Sequence, residues 1–393
     1  MKDIETQIIH HAYQAPGGFA AAQPPVHRAS TVVFDSVRAM HESDWRDKSA
    51  YTYGLHGTPT TFTLEERLCT LEGGRFCTLA PSGLAAITLV NMALLQAGDE
   101  VLLPDNVYGP NASFVSVELA KWGITHQMYD PLDANDLAGR INSATRLVWI
   151  EAAGSVSLEF PDGPALVQAV AQANTRRDRK ICTVLDNTWG AGLAFKPFEW
   201  GVDISVQALT KYPSGGADVL MGSVITRDPD LHSTVQMTHS RLGLGVAGDD
   251  AERVLRGLPS MRLRYLRQDH TTRELAQWAQ SKSEFSRVLH PALAGSPGHE
   301  AFSRLCDGAA CLFSVVFDKR FSREKVEAFC DALQLFQLGY SWAGPMSLVV
   351  PYQLPAMRTL PVPYDGVLVR FAVGLESPRD LIEDLEQALA SIG

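Results

Sequence analysis

The chain has 393 residues, 46% of them hydrophobic and 20% charged, with a formal net charge of −10. That composition excludes a disordered or low-complexity chain and supplies ample apolar material for a core. The acidic balance argues against nucleic acid as a main partner, since phosphate backbones are bound by clustered lysine and arginine.

In chain order, the opening MKDIETQIIHHAYQ lacks the apolar core of a signal peptide. No run of about 18 apolar residues marks a membrane span, so the expectation is a cytoplasmic protein with no membrane partner. QAPGGFAAAQPPVHRAS (14–30) carries three prolines and two glycines, which suit neither a stable helix nor a central strand. It is too apolar for a free tail, and residues 1–60 read as an extended arm packed on a neighbouring subunit. Regular structure is expected from Thr63, where TLEE has the form of a capping box with Glu66, and the helix should stop at Gly73-Gly74. Short apolar runs then follow at 76–80, 100–104, 146–151, 181–186, 203–208 and 221–226. Helical stretches lie between several of them, at 82–96, 111–123 and 163–174.

That alternation predicts an α/β fold with a mostly parallel sheet covered on both faces, and such sheets bind ligands beyond the carboxyl ends of their strands. A long helix is expected over about 249–280, followed by strand 311–317, helix 322–333, strand 367–373 and helix 377–390. The division expected is an arm at 1–60, a large α/β domain at 61–255 and a smaller C-terminal α+β domain at 256–393. The six cysteines, at 69, 77, 182, 306, 311 and 330, have no zinc-like spacing, so no metal is expected and a reducing compartment is the simplest reading. The basic run RRDRK (176–180) reads as a solvated loop before a strand.

Three strand ends carry chemistry-bearing residues. Asp186 closes the apolar run ICTVLD, where an Asx-turn is the ordinary reading. Lys211 follows DISVQA, and alone it is as readily a surface charge. Ser82-Gly83 lie between a strand and a helix, where small residues let backbone N–H groups approach an anion. Together they suit pyridoxal phosphate, which needs a lysine amine, a carboxylate for its ring nitrogen, a phosphate cradle and a flat partner for its ring. Lys211, Asp186, the turn at Gly83-Leu84 with Thr210, and Tyr108 fill these roles. Burial should lower the pKa of Lys211, suiting it to act as nucleophile and base.

Nearly the whole chain resembles the trans-sulfuration enzymes of pyridoxal phosphate, most closely the bacterial cystathionine β-lyases. The resemblance lies in YGLHGTPTTFTLEERLCTLEGG (53–74), PSGLAA (81–86), VYGP (107–110), EAAGSVSLEFPDGP (151–164), LDNTWGAG (185–192), SVQALTKYPSGGADVLMG (205–222), GYSWAG (339–344) and LVRFAVGLES (368–377). It implies fold type I of the pyridoxal-phosphate enzymes, the aspartate-aminotransferase-like architecture. It makes Lys211 the Schiff-base lysine, Asp186 the partner of the pyridine nitrogen and Tyr108 the stacking tyrosine. Gly83, Leu84 and Thr210 match the phosphate cradle, and Tyr53 matches a tyrosine that reaches the phosphate from the neighbouring subunit. Arg370 matches the arginine that grips the substrate α-carboxylate, with Ser341 and Trp342 beside it. A homotetramer built of dimers, with active sites shared between subunits, is implied as well.

Two departures stand out. Relatives usually carry Tyr-x-Arg in the arm, and here the arginine position is Leu55. The best-known β-lyases have a second arginine and an acidic residue for the far end of cystathionine, and here those places hold His56 and, near the second, Ser113. The resemblance therefore implies α,β-elimination of cystathionine, with cystine or other cysteine S-conjugates as further small-molecule substrates. The competing branch is γ-chemistry: cystathionine γ-synthase, γ-lyase or methionine γ-lyase. Ala208 stands where those relatives tend to have serine, and EAAGSVS (151–157) replaces their Glu-Ser-Pro-x-Asn-Pro; both favour the β-lyase branch, as does YSW (340–342).

Overall fold

The structure is a computed structural model, and it describes residues 21–46, 48–362 and 364–393. The first twenty residues of the expected arm lie outside that range. The apolar runs form a seven-stranded sheet: β1 (Phe76–Ala80), β2 (Glu100–Pro104), β3 (Thr125–Tyr129), β4 (Thr145–Glu151), β5 (Cys182–Asp186), β6 (Ile204–Ala208) and β7 (Gly222–Thr226). Their order is β1-β7-β6-β5-β4-β2-β3. The pairings from β3 through β2, β4 and β5 to β6 are all parallel, while β7 runs antiparallel to both β6 and β1.

The central strands read as unbroken apolar runs because both faces are covered. Alternate side chains go to opposite cores. Leu102, Val148, Ile150 and Leu185 join one cluster, with Leu64 and Leu68 of the helix Pro59–Glu72 and Leu166 of the helix Gly163–Asn174. Val101, Leu103, Leu147, Trp149 and Val184 join the other, with Ile87 and Val90 of the helix Gly83–Leu94.

A second sheet is built from β8 (Phe285–Leu289), β9 (Leu312–Phe317), β10 (Gln337–Leu338), β11 (Leu348–Tyr352) and β12 (Leu368–Ala372), in the order β10-β11-β12-β9-β8. It has its own core, in which Phe313, Phe317, Phe329 and Phe371 pack with Leu381 and Leu385 of the helix Pro378–Ala390. The α/β class with a smaller C-terminal body is therefore observed. The boundary expected between residues 255 and 256 falls inside the unbroken 33-residue helix Gly248–Gln280, which links the two bodies.

Local readings were corrected in three places. The helix expected from Thr63 starts at Pro59, and its capping box joins Thr58 to Thr61 rather than Thr63 to Glu66. Glu66 instead meets Lys48 at 2.6 Å, and the Thr63 hydroxyl donates back to the Pro59 carbonyl at 2.6 Å. The single helix expected over 111–123 is a helical turn at Gly109–Ser113, a wide turn at Phe114–Glu118 and a tight one at Leu119–Trp122. Strand β3 was missed because THQMY is a polar edge strand, and β8, β10 and β11 were missed in the small sheet, whose patterns are short.

Candidate active site

Strands β4, β5 and β6 are adjacent and parallel, so their carboxyl ends open on one edge of the sheet. Glu151 and Asp186 end β4 and β5 as register partners. Beyond Ala208 the chain doubles back tightly: Lys211 N–H donates to the Ala208 carbonyl at 3.1 Å, and Gly215 N–H to the Lys211 carbonyl at 2.9 Å. Tyr212 anchors this turn. It is fully buried, packs on Tyr265 with centroids 4.8 Å apart, and its hydroxyl accepts the Cys311 N–H at 2.8 Å. The anchor leaves the neighbouring Lys211 pointing into a cavity of about 950 Å³.

Ser82, Gly83, Leu84, Tyr108, Asp186, Thr210, Lys211, Ser341, Trp342 and Arg370 all line that cavity. Lys211 Nζ donates to Ser341 Oγ at 2.8 Å and lies 5.5 Å from the Trp342 ring centre. Burial first, and the Arg370 charge second, lower its pKa from 10.5 to about 8. Asp186 accepts the Thr188 N–H at 3.0 Å, which is the Asx-turn expected from sequence, yet it also faces the cavity. Burial raises its pKa against the opposing pull of Thr188 and Lys211, and no ion pair joins it to Lys211 among the described residues. Arg370 sits mid-strand in β12 and is 5% exposed. Its Nη1 donates to the Ser155 carbonyl at 2.9 Å, and its guanidinium lies 5.3 Å from the Tyr352 ring centre. Burial lowers its pKa, and no carboxylate partners it among the described residues.

The helix Gly83–Leu94 aims its N-terminus at the same space. Ser82 caps it, accepting Ala85 N–H at 2.9 Å on its hydroxyl and Ala86 N–H at 3.0 Å on its carbonyl. The N–H groups of Gly83 and Leu84 are left as the first turn's donors beside the cavity, where a helix end favours an anion. Residue 83 must lack a side chain, because a Cβ there would come within 2.6 Å of the Ala208 Cβ. The Thr210 hydroxyl makes long contacts with the Met221 backbone, at 3.3 and 3.5 Å.

These groups fit pyridoxal phosphate. A helix N-terminus with a hydroxyl beside it suits a phosphate, and an aspartate without a cationic partner suits a protonated ring nitrogen. The lysine amine has a serine hydroxyl as its hydrogen-bond partner and no carboxylate among the described residues, and a tyrosine ring lies at the rim.

Three residues singled out from the sequence do not reach this cavity within the chain. Tyr53 bridges to Thr31 and is 48% exposed. His56 stacks on Trp45 at 4.5 Å, with Thr52 3.0 Å from its Nδ1, and borders a separate small cavity with Leu55. Ser113 is exposed at the end of the turn Gly109–Ser113 and lines neither.

Sequence reasoning missed Glu151, whose buried carboxylate accepts the Tyr108 N–H at 2.7 Å and so fixes where that ring starts. A glutamate closing an apolar strand was the available signal. It also missed a strap between β11 and β12. Arg358 there meets Glu159 at 3.0 Å, and Thr359 gives its N–H and hydroxyl to Asp105 at 2.8 and 2.6 Å. The strap places Met357 on the cavity wall beside Tyr352, the last residue of β11, and nothing in its sequence announces that.

A family model described as Cys/Met metabolism PLP-dependent enzyme matches residues 5–390. The chain is 38% identical over 391 residues to a putative cystathionine beta-lyase of Rhizobium johnstonii, an alignment covering 99% of this chain and 96% of that one. It is 35% identical over 397 residues to the cystathionine beta-lyase MetC of Escherichia coli, covering 100% and 99%. The crystal structure of cystathionine gamma synthase from Xanthomonas oryzae pv. oryzae in complex with cystathionine superposes with a TM-score of 0.86 at 28% identity, covering 96% of this chain and 95% of that one.

Proposed function

The chain belongs to the Cys/Met metabolism PLP-dependent enzyme family, so pyridoxal phosphate is its cofactor, and from that premise we propose that it is a carbon–sulfur β-lyase of trans-sulfuration. Its substrate would be L-cystathionine, with cystine or other cysteine S-conjugates as further candidates. The products are a thiol, pyruvate and ammonia; from cystathionine the thiol is homocysteine, and one water is consumed. The observation that carries this reading is the convergence of Lys211, Asp186, Arg370 and the Gly83-Leu84 helix end on one cavity.

When bound, the cofactor supplies an electron sink conjugated to the substrate Cα. The chain's residues supply the rest. Arg370 takes the α-carboxylate on a guanidinium already stripped of water, in the two-point geometry that suits carboxylates. Lys211, lowered to about 8, is a competent base near neutral pH and removes the Cα proton. Ser341 holds the amine in place through its 2.8 Å contact. Asp186 would provide the negative charge for a protonated ring nitrogen, and Glu151 fixes the Tyr108 backbone so that its ring could serve as the flat partner. With Cβ–S cleavage the thiol departs toward the mouth, where Tyr340 is 86% exposed.

The β-lyase branch rests on Ala208, whose Cβ packs on Gly83, and on the identity to relatives named as cystathionine β-lyases. The γ-branch is the second reading, favoured by the superposition on a cystathionine γ-synthase. Product analysis with cystathionine separates them. Homocysteine plus pyruvate supports the proposal, and cysteine plus 2-oxobutyrate overturns it.

The same reading extends to assembly and location. Tyr53, half-exposed and away from its own chain's cavity, would serve the phosphate of a neighbouring subunit in a dimer-based homotetramer, with residues 1–60 as the arm between them. His56 would come to the far end of the neighbour's substrate by the same route. A cytoplasmic enzyme agrees with six cysteines that remain free thiols.

A further inference from the structure

Glu72 is the last residue of the helix Pro59–Glu72 and is completely buried. A carboxylate is doubly out of place there: burial strips its water, and the helix end already carries partial negative charge. Three side chains converge on it, one from just beyond β5 and two from along β6. Asn187, the residue after Asp186, donates its amide at 2.9 Å to one oxygen and 3.1 Å to the other. Ser205 donates its hydroxyl at 2.7 Å, and Gln207 donates its amide from the same face of β6. The two amides turn their N–H groups to Glu72, which leaves Asn187 Oδ1 and Gln207 Oε1 buried without a partner. An apolar residue at 72 would avoid burying a charge, so packing alone does not account for a glutamate.

We propose that Glu72 is a positioning residue for the cofactor site: by holding Asn187 just beyond the end of β5 and Ser205 and Gln207 along β6, it sets Asp186 in place relative to Lys211. The two residues that flank the cavity leave adjacent strands, and no ion pair joins them to each other. Their spacing is set by the strand ends, where the Thr188 hydroxyl accepts the Ala208 N–H at 2.9 Å, and Glu72 adds a second side-chain tie between the two strands beneath the site. Burial pushes its own pKa up to about 7 against the pull of these donors and of Lys196, which caps the same helix end through the Leu71 carbonyl at 2.5 Å.

This rests on Lys211 and Asp186 being the cofactor residues, and the test separates the two ideas. Cofactor-free protein is titrated with pyridoxal phosphate, and the visible absorbance band is followed for its dissociation constant and its pH midpoint. Glu72→Gln places an N–H group against three donors. It should weaken cofactor binding roughly ten-fold or more and move the midpoint of the band. Ser205→Ala removes one donor and should shift both quantities the same way by less, and the double variant should be no weaker than Glu72→Gln alone. A Glu72→Gln protein that melts earlier but binds cofactor with wild-type affinity and an unmoved midpoint overturns the inference. Should Glu72→Gln yield no folded protein, wild-type behaviour of Ser205→Ala overturns it equally. Wild-type protein that binds no pyridoxal phosphate at all defeats instead the reading of the site.

Discussion

Replacing Lys211 with methionine should make the cofactor-free protein more stable near neutral pH while abolishing turnover. The amine falls from 10.5 unfolded to about 8 folded, so below pH 8 the native state holds a proton it binds weakly. That drop is roughly 2.5 pH units, and at ~1.4 kcal/mol each it sets a ceiling of about 3.5 kcal/mol. Water in the cavity returns part of it, and the variant loses the 2.8 Å hydrogen bond to Ser341, which contributes ~1 kcal/mol. The net gain for Lys211→Met is therefore about 1–2 kcal/mol at pH 7. The sign follows from linkage. Between pH 8 and 10.5 the unfolded chain binds the proton and the native chain does not, so wild-type stability climbs with pH through that window. Above it the penalty is gone, and the variant should be the less stable of the two by the lost hydrogen bond. Urea denaturation of both cofactor-free proteins at pH 7 and near pH 11, at matched ionic strength, reads the crossover. A methionine variant already less stable at pH 7, or a difference that does not change with pH, refutes the argument.

Three further outcomes are expected. Arg370→Lys keeps the charge but loses the planar fork, so KM for the amino-acid substrate should rise about ten- to a hundred-fold, with kcat changed far less; steady-state kinetics decide it. Arg358→Met removes the cation that faces buried Glu159 and one of the two latches of the strap between β11 and β12, so hydrogen exchange across 354–362 should accelerate while β5 and β6 stay protected. Asp384 accepts the N–H groups of Gln334, Leu335 and Phe336 at 2.8, 2.8 and 3.2 Å. Asp384→Ala should therefore cost about 2–4 kcal/mol in denaturation without moving the cofactor absorbance band.

The large sheet was legible because β2, β4, β5 and β6 are buried on both faces, and burial writes itself into sequence as apolar runs. Edge strand β3 has one partner and partly exposed side chains, so its sequence carries no such mark. That Asp186, Lys211 and the Gly83 turn meet at one cavity was legible for a related reason: each stands where a predicted strand ends, and those ends open on one edge of the sheet. Arg370 was different. It lies mid-strand, and only the family resemblance separated it from a surface arginine. Glu151 and Glu72 act through backbone and side-chain contacts to residues 43 and 115 or more positions away, and no local pattern can announce such a partner. The capping box was misplaced because two threonine-rich turns compete for it, and Pro59 at the first helical position decides in favour of Thr58.

Five charges in and beneath the cavity share one property: each is disfavoured by its own surroundings. Burial raises Asp186, Glu151 and Glu72, and burial lowers Lys211 and Arg370. The two sets are not spent on each other, for Lys211 meets a serine and Arg370 a backbone carbonyl. Folding therefore holds unlike charges a cavity apart, at a cost that ion pairing would have removed. Such an arrangement is stabilised by a ligand that carries both signs in the matching order, with an anion at the Gly83 helix end, a cation at Asp186 and a carboxylate at Arg370. Pyridoxal phosphate and an amino acid together have that order. The chain surrenders stability around Lys211 to have the site assembled before either arrives, and that is why removing the lysine should stabilise the protein it disables.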